Sequence, residues 1–165
     1  MILDTDLTKH FVILTKFKGI ADHPNPNEEE NRFLSMSIAL KCADVGHGAK
    51  ELSLHKKWSR RIIEEFYLQG DKEREHCIPV SPLCDRSGKV SNSQQGFISF
   101  ICLPLFEAFD KKFFNAKMRK EVTDQVRENL EYWKEEIPRE EKGESKFMEE
   151  TQKMLEDIKG ELPNN

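Results

Sequence analysis

The sequence contains no apolar run of the roughly 18 residues that a bilayer-spanning helix needs. Its start, Met1 to Lys18, lacks the basic opening, long apolar centre and small-residue cleavage site of a signal peptide. There is no Asn-x-Ser/Thr sequon and no Cys-x-x-Cys. The four cysteines, Cys42, Cys77, Cys84 and Cys102, are irregularly spaced and read as reduced thiols, not as a disulfide framework or zinc knuckle. Basic charge is not in excess either. The 26 Lys and Arg stand against 30 Asp and Glu, a net charge of −4 that gives a nucleic-acid scaffold no general support. These absences point to a soluble cytoplasmic protein with neither a membrane nor a nucleic acid as partner.

What is present is a charged chain of one-domain length, 165 residues with 34% of them charged. The charge is uneven: from Arg119 onward nine basic residues face fourteen acidic ones, while the front part is close to neutral. Helical periodicity dominates and no strand alternation of useful length occurs. Leu7, Phe11 and Leu14 predict a helix within Asp4 to Phe17, and the prolines of Asp22 to Asn27 break it. Phe33, Leu34, Ile38 and Leu40 mark a second helix from Glu28 to Cys42. Leu54, Trp58, Ile62 and Phe66 recur every four residues, predicting a strongly amphipathic helix from Leu52 to Gln69 that Gln69-Gly70-Asp71 ends or bends.

Two prolines and a glycine keep Ile78 to Gly88 irregular. A long, nearly apolar helix is expected from Ser93 to Phe114, kinked at Pro104. Another runs from Arg119 to Ile137 on a stripe of Val122, Val126, Leu130, Trp133 and Ile137, and Pro138 ends it. The remainder carries a modest stripe of Met148, Leu155, Ile158 and Leu162 and is a docked helix or a frayed tail. The fold class is all-α.

Three motif groups carry the chemistry. They are Thr5-Asp6-Leu7-Thr8-Lys9-His10, then Lys41-Cys42-Ala43-Asp44-Val45-Gly46-His47, then Glu64-Glu65-Phe66-Tyr67-Leu68-Gln69-Gly70-Asp71-Lys72-Glu73. The third continues with Ser81-Pro82-Leu83-Cys84-Asp85 and Ser93-Gln94-Gln95-Gly96-Phe97-Ile98. In order and spacing they closely resemble the catalytic domain of the class I 3',5'-cyclic nucleotide phosphodiesterases. The likeness runs from about Ile2 to the Asn129–Trp133 and Ile137-Pro138 stretch, and covers the C-terminal half of such a domain. Residues 1–138 therefore read as a partial catalytic domain, and 139–165 as an acidic C-terminal helix or tail.

The resemblance implies hydrolysis of cAMP or cGMP to the 5'-nucleotide, in signal transduction. Two divalent metal ions, zinc with magnesium or manganese, would activate the attacking water. Taken alone, Asp44 reads as a cap or salt-bridge partner; the resemblance makes it a metal ligand, a role that suits a carboxylate. Gln94 and Phe97 stand at i and i+3 and so share a helix face. By themselves they read as a helix-start polar residue and a core aromatic. The resemblance has the Gln94 amide match a purine edge with a donor and an acceptor, and the Phe97 ring clamp the base. Ile62, Phe66 and Leu83 match positions lining the same pocket, although plain packing would serve them equally. His47 stands where many family members have Asn; it donates to the nucleotide or to a water near the metals, or is an exposed loop histidine. His55 and His76 read as surface helix and loop residues, and His10 takes no catalytic part.

Much of what the family needs is missing. The chain has five histidines, none in a His-x-x-x-His run and none followed by Asp. Three of the four protein ligands to the tighter metal site and the general-acid histidine are therefore expected upstream, so no catalytic residue is assigned here. The chain is expected to be inactive alone, either a truncated gene model or a genuine short protein. Loss of the histidine-rich half would also uncover apolar helix faces and favour association with that half or with a full-length enzyme. A different reading is a non-catalytic helical fragment that binds a nucleotide or a partner. An acidic helical scaffold would explain the tail but not the motifs.

Overall fold

A computed structural model describes residues 2–22, 29–113 and 115–161, with side chains for 2–20, 29–113 and 115–154. No strand occurs among the described residues, and none of their helices is long and apolar enough to cross a membrane. The loop expected at residues 23–27, the helix end expected at Phe114 and the side chains of Leu155, Ile158 and Leu162 lie outside this description. The α-helices are α1 (His10–Asp22), α2 (Glu29–Asp44), α3 (Leu52–Glu75), α4 (Val90–Phe97), α5 (Leu103–Lys112), α6 (Ala116–Met118), α7 (Asp124–Glu141) and α8 (Lys146–Glu161). Short 3-10 turns cover Ile2–Asp4, Leu7–Lys9 and Gly46–Ala49, and single π-helical turns cover Ile98–Cys102 and Arg119–Thr123.

The chain divides into two compact units, unit 1 (Met1–His55 with Gly96–Leu130) and unit 2 (Lys56–Gln95 with Glu131–Asn165). In unit 1, α1, α2 and α5 pack on one another around Phe17, Ile38, Ile98 and Leu105, all fully buried. In unit 2, Trp133 is fully buried and meets Phe147 of α8 edge to face, with ring centroids 4.8 Å apart. Both tryptophans and both tyrosines belong to unit 2.

Several local rules give way to packing. Gly70 does not end α3, which continues to Glu75. A Cβ at position 70 would sit 2.0 Å from the Cys84 carbonyl oxygen, so the missing side chain lets the following loop lie against the helix. The stop comes instead at Cys77, in the left-handed region with φ 54°. There the Ile78 amide donates to the Glu73 carbonyl and the Cys77 amide to that of Arg74, the paired closure of a helix end. The end of α7 repeats the pattern with a glycine, Gly143, at φ 74°.

Pro138 likewise does not end its helix but lies inside α7, three residues from the end, where only one backbone hydrogen bond is lost. The long helix expected from Ser93 is three pieces. A π turn over Ile98–Cys102 joins α4 to α5 without a break in helical backbone and places Pro104 just after it, the wider turn accommodating a residue that has no N–H. That segment begins earlier than Ser93 as well. The Glu140 carboxylate accepts from the Val90 and Ser91 amides at 3.0 and 2.9 Å and so caps α4 at Val90.

The expected apolar stripe of α3 is not its buried face. Leu54, Trp58 and Phe66 are exposed and Ile62 is half-buried, whereas His55 and Ser59 are fully buried. Leu7 and Phe11 before and in α1, and Phe33 and Leu40 on α2, also point outward. Periodicity identified an apolar face in each case; what buries there is decided by neighbouring helices.

Candidate functional site

The expected residues are distributed over both units. In unit 1, Asp44 closes α2 and is exposed. The turn that follows, Gly46–Ala49, brings His47 inward. Its ring stacks on Phe97 at 5.7 Å between centroids and on His55 at 5.6 Å, nearly parallel in both cases. Burial lowers the pKa of His47. His55 is buried, not the surface residue expected, and its Nδ1–H donates to the His47 carbonyl at 3.0 Å. Burial pushes the His55 ring down to about 4 against that hydrogen bond, so both imidazoles are neutral at pH 7.

The turn is held from below by Asn129 of α7, whose side-chain amide donates to the carbonyls of Gly48 and Lys50 at 2.9 and 2.8 Å. Gly48 fits because its α-carbon faces the buried Cys102 thiol; a Cβ there would lie 3.1 Å from the sulfur. Burial raises the thiols of Cys42 and Cys102 to about 12, so they stay protonated, and all four cysteines are unpaired.

In unit 2, Gln94 is 7% exposed, and the Ser59 hydroxyl donates to its Oε1 at 3.1 Å. A serine hydroxyl can donate or accept, so this bond holds the Gln94 amide in place whichever way it is turned. Gln94 and Phe97 both belong to α4, as the spacing predicts. Ile62 is half-buried on α3, and Phe66 and Leu83 are exposed. Leu83 follows Pro82 in a turn closed by the Cys84 amide on the Ser81 carbonyl.

Sequence reasoning missed three residues of this arrangement. Asn129 had a signal, standing three positions after Val126 and four before Trp133 on the expected stripe of its helix. Ser59 and His55 each follow a residue of the expected α3 stripe by one position and gave none.

A metal centre is not assembled by these residues. No group of three His, Cys, Asp or Glu side chains among the described residues is placed to hold a metal ion. Asp44 is exposed at the end of α2, while His10 and His55 are buried in the protein interior and His76 is exposed on the loop after α3. One carboxylate falls short of the three protein donors a catalytic zinc takes. The residues present therefore do not fit the metal pair that the family implies.

Comparison with known proteins agrees with the motif order. The family model described as 3'5'-cyclic nucleotide phosphodiesterase matches residues 1–126. The 3',5'-cyclic-AMP phosphodiesterase 4C of Rattus norvegicus is 32% identical over 148 residues, 84% of this chain and 27% of that protein. The dual 3',5'-cyclic-AMP and -GMP phosphodiesterase beta of Plasmodium falciparum (isolate 3D7) is 34% identical over 139 residues, 81% of this chain and 12% of that protein. Among solved structures, LmjPDEB1 in complex with IBMX superposes with a TM-score of 0.74 and 31% identity, covering 81% of this chain and 40% of that one. The chain thus spans well under half the length of these relatives. Over the part it does span, motif order, helix arrangement and family model agree, and the chain belongs to the class I 3',5'-cyclic nucleotide phosphodiesterase family.

Proposed function

We propose that these residues form the base-binding part of a cyclic nucleotide phosphodiesterase and bind the purine of cAMP or cGMP, the whole enzyme giving the 5'-nucleotide in signal transduction. The observation that carries this is the buried Ser59–Gln94 hydrogen bond. It anchors an amide one turn before the Phe97 ring, and an amide carries the donor and the acceptor that a purine edge requires. His47 and Phe97 supply parallel aromatic surface in unit 1. Ile62, Phe66 and Leu83 supply apolar surface in unit 2.

Hydrolysis needs donors beyond Asp44, so the chain by itself binds without turnover. Residues 1–138 belong to the catalytic domain and 139–165 form its acidic extension. Calorimetric titration with cAMP, cGMP and IBMX, beside a turnover assay with zinc and magnesium, tests this. Binding without turnover supports it. Failure of all three ligands to bind overturns the purine site, and metal-dependent turnover overturns the inactivity.

A second reading is favoured by one feature, the outward-facing Phe33 and Leu40 on α2, the helix that ends at Asp44. A histidine-bearing partner, whether the remaining half of the domain or a complete enzyme, would bury these side chains while bringing donors toward that carboxylate.

A further inference from the structure

Leu83 breaks two rules at once. The Ser81–Cys84 turn has proline in its second place and a positive φ, 70°, in its third, a position that favours glycine because a Cβ is crowded there. The side chain also gains little from burial, being 58% exposed. Neither turn chemistry nor core packing accounts for a leucine there.

The surrounding residues of unit 2 nonetheless hold this turn in place. Glu73 accepts from the Ser81 amide with one carboxylate oxygen and from the Ser81 hydroxyl with the other, both at 2.6 Å. The Gln69 amide donates to the same carboxylate at 2.9 Å. One turn earlier on α3, Gly70 leaves room for the Cys84 backbone. Beyond the turn, Arg86 binds Glu64 and Asp71, and Arg74 binds Asp85. Hydrogen bonds from Ser81 hold the Glu73 carboxyl below its usual range, so the anchor is ionised at pH 7.

A strained, exposed apolar residue on an anchored turn is stability exchanged for a presented side chain. We infer that Glu73 is a positioning residue for base binding: its grip on Ser81 fixes the strained turn so that Leu83 presents a preformed apolar wall to the purine. The inference rests on the reading that unit 2 holds a purine base.

The test measures cAMP affinity and thermal midpoint for the full chain and for Glu73→Ala, Leu83→Gly and the double variant. Each single change weakens binding about tenfold, the scale of one lost apolar contact. The double variant binds no worse than either single one, because Glu73 acts through Leu83. Leu83→Gly leaves the midpoint unchanged or raised, since it relieves the backbone, whereas a purely structural leucine would lower it. Ser81→Ala, which keeps the backbone bond and loses one donor, gives intermediate affinity and serves if Glu73→Ala does not fold. Binding by the parent chain with none lost in Glu73→Ala or Ser81→Ala overturns the positioning role alone, as do additive losses in the double variant. No binding by the parent chain overturns the purine reading and this inference with it.

Discussion

The two units differ in how completely they pair their buried polar groups. Unit 1 buries neutral imidazoles, together with Lys41 on the Asp4 carbonyl and Asp110 on Arg119. His10 is fully buried with no hydrogen-bond partner for either ring nitrogen, and Asp110 Oδ1 and Thr123 Oγ1 are also unpartnered, whereas unit 2 has only the Tyr132 hydroxyl in that condition among the described residues. Unit 2 buries an ionised carboxylate and surrounds it. Glu136 is fully buried, accepts from the Ser145 hydroxyl and from Arg139 at 2.8 Å, and takes the Phe147 amide at 3.3 Å. Burial opposes its ionisation, but those donors outweigh burial and hold its carboxyl below the usual range. One unit leaves polar groups unpaired at a cost, and the other makes one charge the organiser of a helix junction.

The contrast can be broken most forcefully in unit 2. Glu136→Ala leaves the buried Ser145 hydroxyl and Phe147 amide without their acceptor and is expected to cost about 4 kcal/mol in urea unfolding; a loss within experimental error would remove the carboxylate as organiser. Acid acts on unit 1 next. Because the folded pKa of His55 lies near 4 and an unfolded histidine titrates near 6.5, its contribution is complete above pH 6.5 and is lost as pH falls toward 4. The loss is roughly 3 kcal/mol, and His10 and His47, also lowered by burial, add to it in the same direction. Hydrogen exchange across that window should show amides of α1 and α2 losing protection before those of α7 around Trp133.

Smaller changes sharpen the picture. Gly70→Ala forces a Cβ onto the Cys84 carbonyl and is expected to cost about 2 kcal/mol, read as a lowered calorimetric midpoint. His10→Leu does the reverse. It removes two orphaned nitrogens from a fully buried site and should stabilise the chain by about 1 kcal/mol, while flattening part of the acid dependence.

The all-α class and the placement of Gln94 and Phe97 on one helix were legible because both rest on local periodicity. What was misread had its cause in distant contacts. Gly70 and Pro138 carry strong local stop signals, yet α3 runs on because Gly70 receives the Cys84 backbone, and α7 tolerates a proline so near its end. The start of α4 depends on Glu140, about fifty residues later in sequence. The outward stripe of Leu54, Trp58 and Phe66 is the clearest case. A pattern with period 3.6 says which face is apolar and nothing about whether the chain itself supplies the cover. Asp44, Gln94 and Phe97 were legible as candidates through motif spacing. Ser59 and His55 are single polar residues whose partners, Gln94 and the His47 carbonyl, lie 35 and 8 positions away, and the carbonyls that Asn129 holds lie 81 and 79 positions away.

The uneven distribution of tryptophan and tyrosine has an optical consequence. Trp58, Trp133, Tyr67 and Tyr132 all lie in one unit, so intrinsic fluorescence and near-ultraviolet dichroism watch that unit and are nearly blind to the phenylalanine-only other. An acid titration followed by emission would report an intact protein while the imidazole-bearing unit had already opened. The same blindness becomes useful in reverse: a single tryptophan placed at an exposed phenylalanine of α2, such as Phe33, would give that unit a signal of its own.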